Sequence, residues 1–337
     1  MKEGSAINTL VSQLEGYQVI SLVGNIKNAG KTTVLNYLLS NYQDILVGVT
    51  SIGLDGEKID QVTFLPKPRI YVYTGMIVVT SKACLDECEA DYEIIKKTNI
   101  KTSLGEIYII RITANGNCLV GGPSSIKSMQ VIIEELKRLN CSKILIDGAF
   151  SRITLAQLAD AIILSIGASY SQQLEKIATN AYNIVKLFQL PRFKSKHNLQ
   201  EFNKIVLIDN NNELLFINKE STLDCGLDII KQINENIKYM YIPRVVSQSF
   251  IKEFIANRHK LYCDLIINNP THLLVDEVLL KQIFKLKQKV YVLKQINLVA
   301  LTFNPFSPKG NIPFKSFREV LKERITIPIY NVLDKDN

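Results

Sequence analysis

The sequence predicts an α/β protein with a mostly parallel sheet, followed by a second α/β half. Three observations predict it. Short apolar runs of strand length alternate with amphipathic helical stretches along most of the 337 residues. The runs are bounded by polar, Gly- and Pro-containing segments, and they read as strands buried on both faces, as a parallel sheet covered by helices requires. The third is "VGNIKNAGKTT", residues 23–33, which stands between the first strand and the first helix and ends in Gly-Lys-Thr-Thr.

Residues 17–23, "YQVISLV", form the first apolar run, and 31–42 place Val34, Leu35, Leu38 and Leu39 on one helical face. The pattern G-x-x-x-x-G-K-[ST] of a phosphate-binding loop asks for glycine at position 25. Asn25 stands there, preceded by Gly24. Asparagine enters left-handed conformations more readily than other residues with a side chain. Asn25 is therefore expected to take the left-handed turn, with Gly24 loosening the strand exit. Gly30 lets the backbone approach phosphates that a Cβ would obstruct. The helix start offers free N–H groups and a positive dipole end to an anion. Lys31 is expected on the β- and γ-phosphates and the Thr32 hydroxyl on Mg²⁺. Asn25, Lys27, Asn28, Ala29, Gly30, Lys31, Thr32 and Thr33 make up the expected nucleotide-binding segment of a P-loop NTPase fold.

Residues 45–50 read as a second buried strand, and 51–69 as a polar loop with a turn at Asp55-Gly56. In that loop Asp55, Glu57 and Asp60 could sense a γ-phosphate, as switch segments do. Residues 70–80 read as two short strands about Thr74-Gly75. Residues 81–98 read as a helix, 107–120 as a hairpin broken at "ANGN", and 123–140 as an amphipathic helix. "KILIDGAFSR", residues 143–152, has the form of a Walker B strand ending in a carboxylate. Asp147 is expected to hold Mg²⁺ together with Thr32; an ordinary strand-to-turn aspartate is the competing reading. A strand over 161–169 and a helix over 171–190 follow. "LPRFKSKHN", 190–198, reads as a linker, which divides the chain into a nucleotide-binding domain, 1–190, and a basic second domain or sheet extension, 191–337. Beyond the linker, strands are expected near 204–209, 238–243, 263–268, 289–294 and 298–305. Helices are expected over 226–236, 248–258 and 273–287.

The apolar share is 47% and the charged share 21%, a globular balance. No apolar run approaches the roughly 20 residues of a membrane span, and residues 1–16 lack the apolar centre of a signal peptide. A cytoplasmic protein without a membrane partner is expected. Of the six cysteines only Cys84 and Cys88 are close in sequence. Their spacing is not a common zinc spacing, and all six are read as free thiols. The net charge of +8 is concentrated beyond residue 190, most densely in "KQIFKLKQK", 281–289. No nucleic-acid motif accompanies it, so a solvated helix face or a docking surface for an acidic protein is expected rather than a nucleic-acid site. "INKES", 217–221, lacks the aspartate of the guanine-reading N-K-x-D, which favours ATP over GTP.

Several stretches together resemble the reactivase subunit associated with lysine 5,6-aminomutase. They are "VTSIGLDGEKIDQVTFLPKPRIYVYTGMIVV", "TSLGEIYIIRITANGNCLVGGPSS", "ILIDGAFSR", "ILSIGAS" and, near the other end, "LTFNPFSPKG". The resemblance covers most of 17–170 and recurs over 298–332. It departs at Leu54, where a basic residue is expected beside Asp55-Gly56. The resemblance implies a protein that uses ATP to open an adenosylcobalamin-dependent aminomutase and release damaged cobalamin, with a MutS-like companion ATPase. No D-x-H-x-x-G cobalamin motif is present, which points to action on the mutase rather than direct binding of B12. Two other readings share the loop chemistry. One is a small-molecule phosphotransferase or ligase of the dethiobiotin-synthetase or nucleotide-kinase type. The other is a nucleotide-binding regulator without turnover.

Overall fold

The computed structural model of the chain describes residues 9–52, 54–55, 69–149, 157–223, 226–308 and 310–334. Two compact units emerge, residues 1–178 with 297–337 and residues 179–296. Residues 297–337 thus belong with the first unit, whereas the sequence grouped them with 191–296.

The first unit runs through α1 (Leu10–Gln13), β1 (Val19–Gly24), α2 (Lys31–Asn41), β2 (Val47–Ser51), β3 (Leu54–Asp55), β4 (Ile70–Val72), β5 (Ile77–Ser81) and α3 (Lys82–Leu85). It continues through β6 (Asp91–Thr102), β7 (Gly105–Ala114), β8 (Gly116–Cys118), β9 (Val120–Gly121), α4 (Ile126–Arg138), β10 (Lys143–Ala149), β11 (Ala161–Gly167) and the start of α5 (Leu174–Phe188). The second unit contains β12 (Ile205–Asp209), β13 (Leu214–Ile217), α6 (Gly226–Ile230), β14 (Ile237–Ile242), α7 (Gln248–Ala256), β15 (Asp264–Ile267), α8 (Glu277–Ile283) and β16 (Val290–Val292). The chain then returns to the first unit with β17 (Leu298–Asn304), α9 (Phe314–Lys322) and β18 (Ile329–Tyr330).

The first unit is built on a nine-stranded mixed, mostly parallel sheet, in the order β18-β17-β11-β1-β10-β2-β5-β7-β6. The strands from β18 to β5 are parallel, and β7 is antiparallel to both β5 and β6. Period-two alternation sends side chains to opposite faces. Ile20, Leu22 and Leu145 share a buried cluster with Leu10 and Leu14 of the α1 segment and with Val34, Leu35, Leu38 and Leu39 of α2. Val19, Ile144 and Ile146 pack instead with Met129, Ile132 and Leu136 of α4. Both faces are therefore covered, which is why these strands read as continuous apolar runs. Ser125 caps α4, its side chain accepting from the Ser128 N–H at 3.1 Å.

The second unit has its own five-stranded sheet, β13-β12-β14-β15-β16, in which β12 is antiparallel to both neighbours and β14 to β16 are parallel. Its core includes Phe250 and Phe254 of α7, Ile229 of α6 and Leu279 of α8.

Three local readings are corrected. The helix expected over 81–98 is only the single turn α3, and 91–102 is a long edge strand. Its side chains face solvent nearly throughout, with Thr98 its one buried position. Only Tyr92 and Ile100 pack against the core from this strand, too few to cover a helix face. The β-branched residues Ile94, Ile95 and Thr98 suit a strand, and Lys96, Lys97 and Lys101 guard the edge. The hairpin lies between β6 and β7, turning at Ser103-Leu104, and not at "ANGN". There the chain passes on to β8, which pairs with β4. Finally, Leu54 and Asp55 are not loop but a short strand paired with Gly121 and Val120.

Candidate functional site

β1 leads through α2 towards β2 on one side of the sheet. β11 leads through α5 and finally to β17 on the other. The carboxyl ends of β1 and β11 therefore lie where connections diverge, the place at which open parallel sheets bind ligands. The loop 25–30 sits at that place.

Its geometry differs from the expected one. Asn25 is not left-handed; the positive φ values in the loop belong to Asn28, at 63°, and Gly30, at 93°. The backbone reverses just before the helix and not at the strand exit. Asn25 acts through hydrogen bonds. Its N–H donates to the Ser165 carbonyl at 3.0 Å, and its Oδ1 accepts from the Gly167 N–H at 3.1 Å. Both bonds tie the loop to the end of β11.

The displaced glycine also has a different cause. A Cβ on Gly24 would lie 3.1 Å from Ala29 Cβ and 3.1 Å from both Cγ and Cδ of Lys31. The aliphatic stem of Lys31 folds back over the strand exit, and Gly24 leaves room for it. Gly167 does the same for the loop backbone, since a Cβ there would lie 2.9 Å from Ala29 Cα.

Gly30 is the N-cap of α2 and offers no side-chain cap. The first N–H groups of the helix, at Lys31, Thr32 and Thr33, lie at the half-buried entrance of the helix. Lys27 and Asn28 are exposed, and Ala29 is buried. A helix start with free N–H groups is the kind of place that can take an anion.

Asp147 lies within β10 and is wholly buried. It pairs in register with Leu22 of β1 and Ser51 of β2. The strand continues to Ala149, so Asp147 does not sit at a strand-to-turn junction. It shares parity with Leu145, which packs in the cluster containing α2. The carboxylate therefore lies on the face of the sheet that carries α2, the helix of Thr32. Beside it, the Ser51 Oγ donates to the Val120 carbonyl at 2.8 Å and accepts from the Gly122 N–H at 3.0 Å. Asp55 is described only through its backbone in β3. Asp60 and Glu57 lie outside the described residues, so the switch reading has no geometry here.

Sequence reasoning missed the part of the site supplied by β17. The Asn304 Nδ2 donates to the Asn28 carbonyl at 3.0 Å, and a Cβ on Gly30 would lie 3.0 Å from Asn304 Cβ. Thr302 donates to the Ser165 Oγ at 2.9 Å in the buried layer below. A small pocket opens at the start of α2, lined by Gly30, Thr33, Thr302, Asn304 and Asn331 among others. The Asn-Pro that ends the run "LVALTFNP" is a turn signal, but nothing in its spacing says which loop it meets.

In the second unit, Lys285 and Lys287 of the basic stretch line an open groove with Arg258, His259 and Tyr262, while Lys281 pairs with Glu277 at 2.5 Å. The α8 helix ends at Ile283, so most of the stretch is turn and not a helix face. No helix among the described residues is long and apolar enough to cross a membrane. Comparison with protein-family models, characterised proteins and solved structures finds no match.

Proposed function

We propose that residues 24–33 form a nucleoside-triphosphate site of the P-loop type, and that the protein couples this nucleotide to a change in a protein partner. The observation that carries the reading is one juxtaposition. In a strand–loop–helix unit the loop ends in a left-handed glycine and the helix opens with a lysine, and a buried aspartate on the adjacent parallel strand lies on the face that carries the same helix. In this reading the amides of the loop and the Lys31 ammonium hold the phosphates. The Thr32 hydroxyl and the Asp147 carboxylate are hard oxygen donors of the kind Mg²⁺ takes. Among the described residues no group of three His, Cys, Asp or Glu assembles as a metal cage, at this site or any other. The chain would supply few ligands, and phosphate and water would supply the rest. When bound, the ion neutralises charge on the transferred phosphoryl group.

The partner is read from the resemblance of 17–170 and 298–332 to aminomutase reactivases. It is an adenosylcobalamin-dependent aminomutase, with ATP favoured over GTP and a companion ATPase expected. The test is binding of a fluorescent ATP analogue to the purified chain, followed by hydrolysis with and without such a mutase. Lys31→Ala is expected to abolish binding in a protein that still folds. Asp147→Asn is expected to bind nucleotide and lose Mg²⁺-dependent turnover. Failure of the folded wild type to bind ATP or GTP sinks the proposal. Turnover on a small acceptor, with no response to a mutase, replaces the coupled reading with a phosphotransferase.

A further inference from the structure

Cys88 and Cys118 are thirty residues apart in sequence, yet their sulfurs lie 3.3 Å from each other. Backbone packing holds them there. The Glu89 N–H donates to the Asn117 carbonyl at 2.9 Å, and the Asn117 Nδ2 donates to the Glu89 carboxylate at 2.9 Å. Gly116 of β8 approaches so closely that a Cβ on it would lie 2.7 Å from Ala90 Cα. The turn 86–90 and β8 are thus held together immediately beside the two thiols. Cys118 is wholly buried, and Cys88 is half-buried.

The surroundings favour a thiolate on Cys88 and a thiol on Cys118. The hydrogen bond shared with Cys118, the backbone of Ala90 and the Arg69 charge together outweigh burial and Glu89, and lower the Cys88 thiol to about 7. The same pairing, with desolvation and the nearby Cys84, holds Cys118 protonated. Arg69 is itself fixed by an ion pair to Glu89. Cys84, by contrast, is pushed up by burial. A half-buried thiol with thiolate character, beside a wholly buried thiol, is the arrangement of an oxidation-sensing pair.

We propose that Cys88 and Cys118 are a reversible oxidation site, at which a peroxide converts the two thiols to a disulfide. The Cys88 thiolate attacks one peroxide oxygen. The S–O bond forms, the O–O bond breaks, and the leaving hydroxide takes a proton and departs as water. The Cys118 sulfur then attacks the Cys88 sulfur while its proton leaves. The S–S bond forms, the S–O bond breaks, and a second water departs. Two thiols and one hydrogen peroxide give one disulfide and two waters. From 3.3 Å the sulfurs need to close by only about 1.3 Å to reach bonding distance. The product would lock the turn 86–90 covalently to β8. This site is independent of the nucleotide reading.

The test treats the reduced full chain with hydrogen peroxide at pH 7, quenches with N-ethylmaleimide and maps the peptides. The expected product is a single dithiothreitol-reversible Cys88–Cys118 cross-link. Cys141 and Cys263, both buried with raised thiols, should remain reduced and at least roughly ten-fold slower to alkylate in the folded protein. Cys118→Ser should stop the reaction at a Cys88 sulfenic acid that dimedone traps, and Cys88→Ser should leave Cys118 unreactive. The wild-type map decides the matter even where a variant fails to fold. Recovery of Cys88 and Cys118 as alkylated thiols after peroxide treatment, or a cross-link from Cys88 to Cys84, overturns the proposal.

Discussion

Gly30→Ala isolates the backbone device that turns the loop into α2. Gly30 has φ 93° and ψ 12°. A residue with a Cβ costs about 1–2 kcal/mol in that left-handed region. The added methyl also meets Asn304 Cβ at 3.0 Å, and such overpacking against a braced strand adds about 1 kcal/mol. Alanine restricts the unfolded chain, which returns about 0.4–1 kcal/mol. The net loss is about 2 kcal/mol, or a fall of about 4–8 °C in the unfolding midpoint of a unit of this size. The assay is scanning calorimetry of the wild type, Gly30→Ala, Asn304→Gly and the double variant. Asn304→Gly removes the bonds to the Asn28 carbonyl and from the Phe306 N–H, so it destabilises by itself. It also removes the atom that the new methyl meets. The double variant should therefore be more stable than the sum of the singles by about 1 kcal/mol, because only the φ term persists. Gly30→Asn, which tolerates the left-handed region better, should fall between glycine and alanine. Additive losses, or an alanine variant as stable as the wild type, would refute the reasoning.

Asn25→Gly should destabilise the chain by about 1–2 kcal/mol, since it leaves the buried Gly167 N–H without its acceptor, and Asn25→Asp should retain most of the stability. Equal denaturation midpoints for Asn25→Gly and the wild type would show that the Oδ1 bond contributes nothing. His272 is held below its usual 6.5 by burial, despite carbonyls of Arg244 and Pro243 that favour protonation and with the Arg244 charge opposing it. Among the described residues its Nδ1 has no hydrogen-bond partner. A base whose folded value is depressed takes up its proton more readily when unfolded, so its contribution is intact above pH 6.5 and is lost as pH falls below it. Stability measured by urea denaturation from pH 7.5 to 5 should decline, and His272→Gln should flatten the decline. Parallel curves for the two proteins would refute the assignment.

The buried parallel strands and their order in the chain were legible because each carries an unbroken apolar run, as in "KILID" or "AIILSIG". The loop was legible because glycine, lysine and threonine sit at fixed spacing before a helix. What the residues of the loop do was less so. Asn25 has the composition of a left-handed residue, but the hydrogen bonds from β11 give its side chain other work, and the turn moves to Asn28. The switch from helix to strand over 91–102 came from a tertiary fact, the availability of β7 as a partner. Asn304 was invisible because its role depends on β17 lying beside β11, a neighbour relation that no local pattern encodes. The same holds for Cys88, whose near neighbour in sequence is Cys84 while its sulfur meets Cys118.

The brace on the loop joins residues 276 positions apart, Asn304 to Asn28, and all of the second unit is synthesised between β11 and β17. At the usual pace of translation, about 5–20 residues per second, that interval lasts roughly ten seconds. Throughout it β11 is an uncovered parallel edge carrying Ile162, Leu164 and Ile166, with its ladder groups open on one side. The nascent chain thus passes through a stage in which β11 lacks its partner β17 while residues 179–296 are being made. That edge gains its partner, and the loop its brace, only after β17 has emerged.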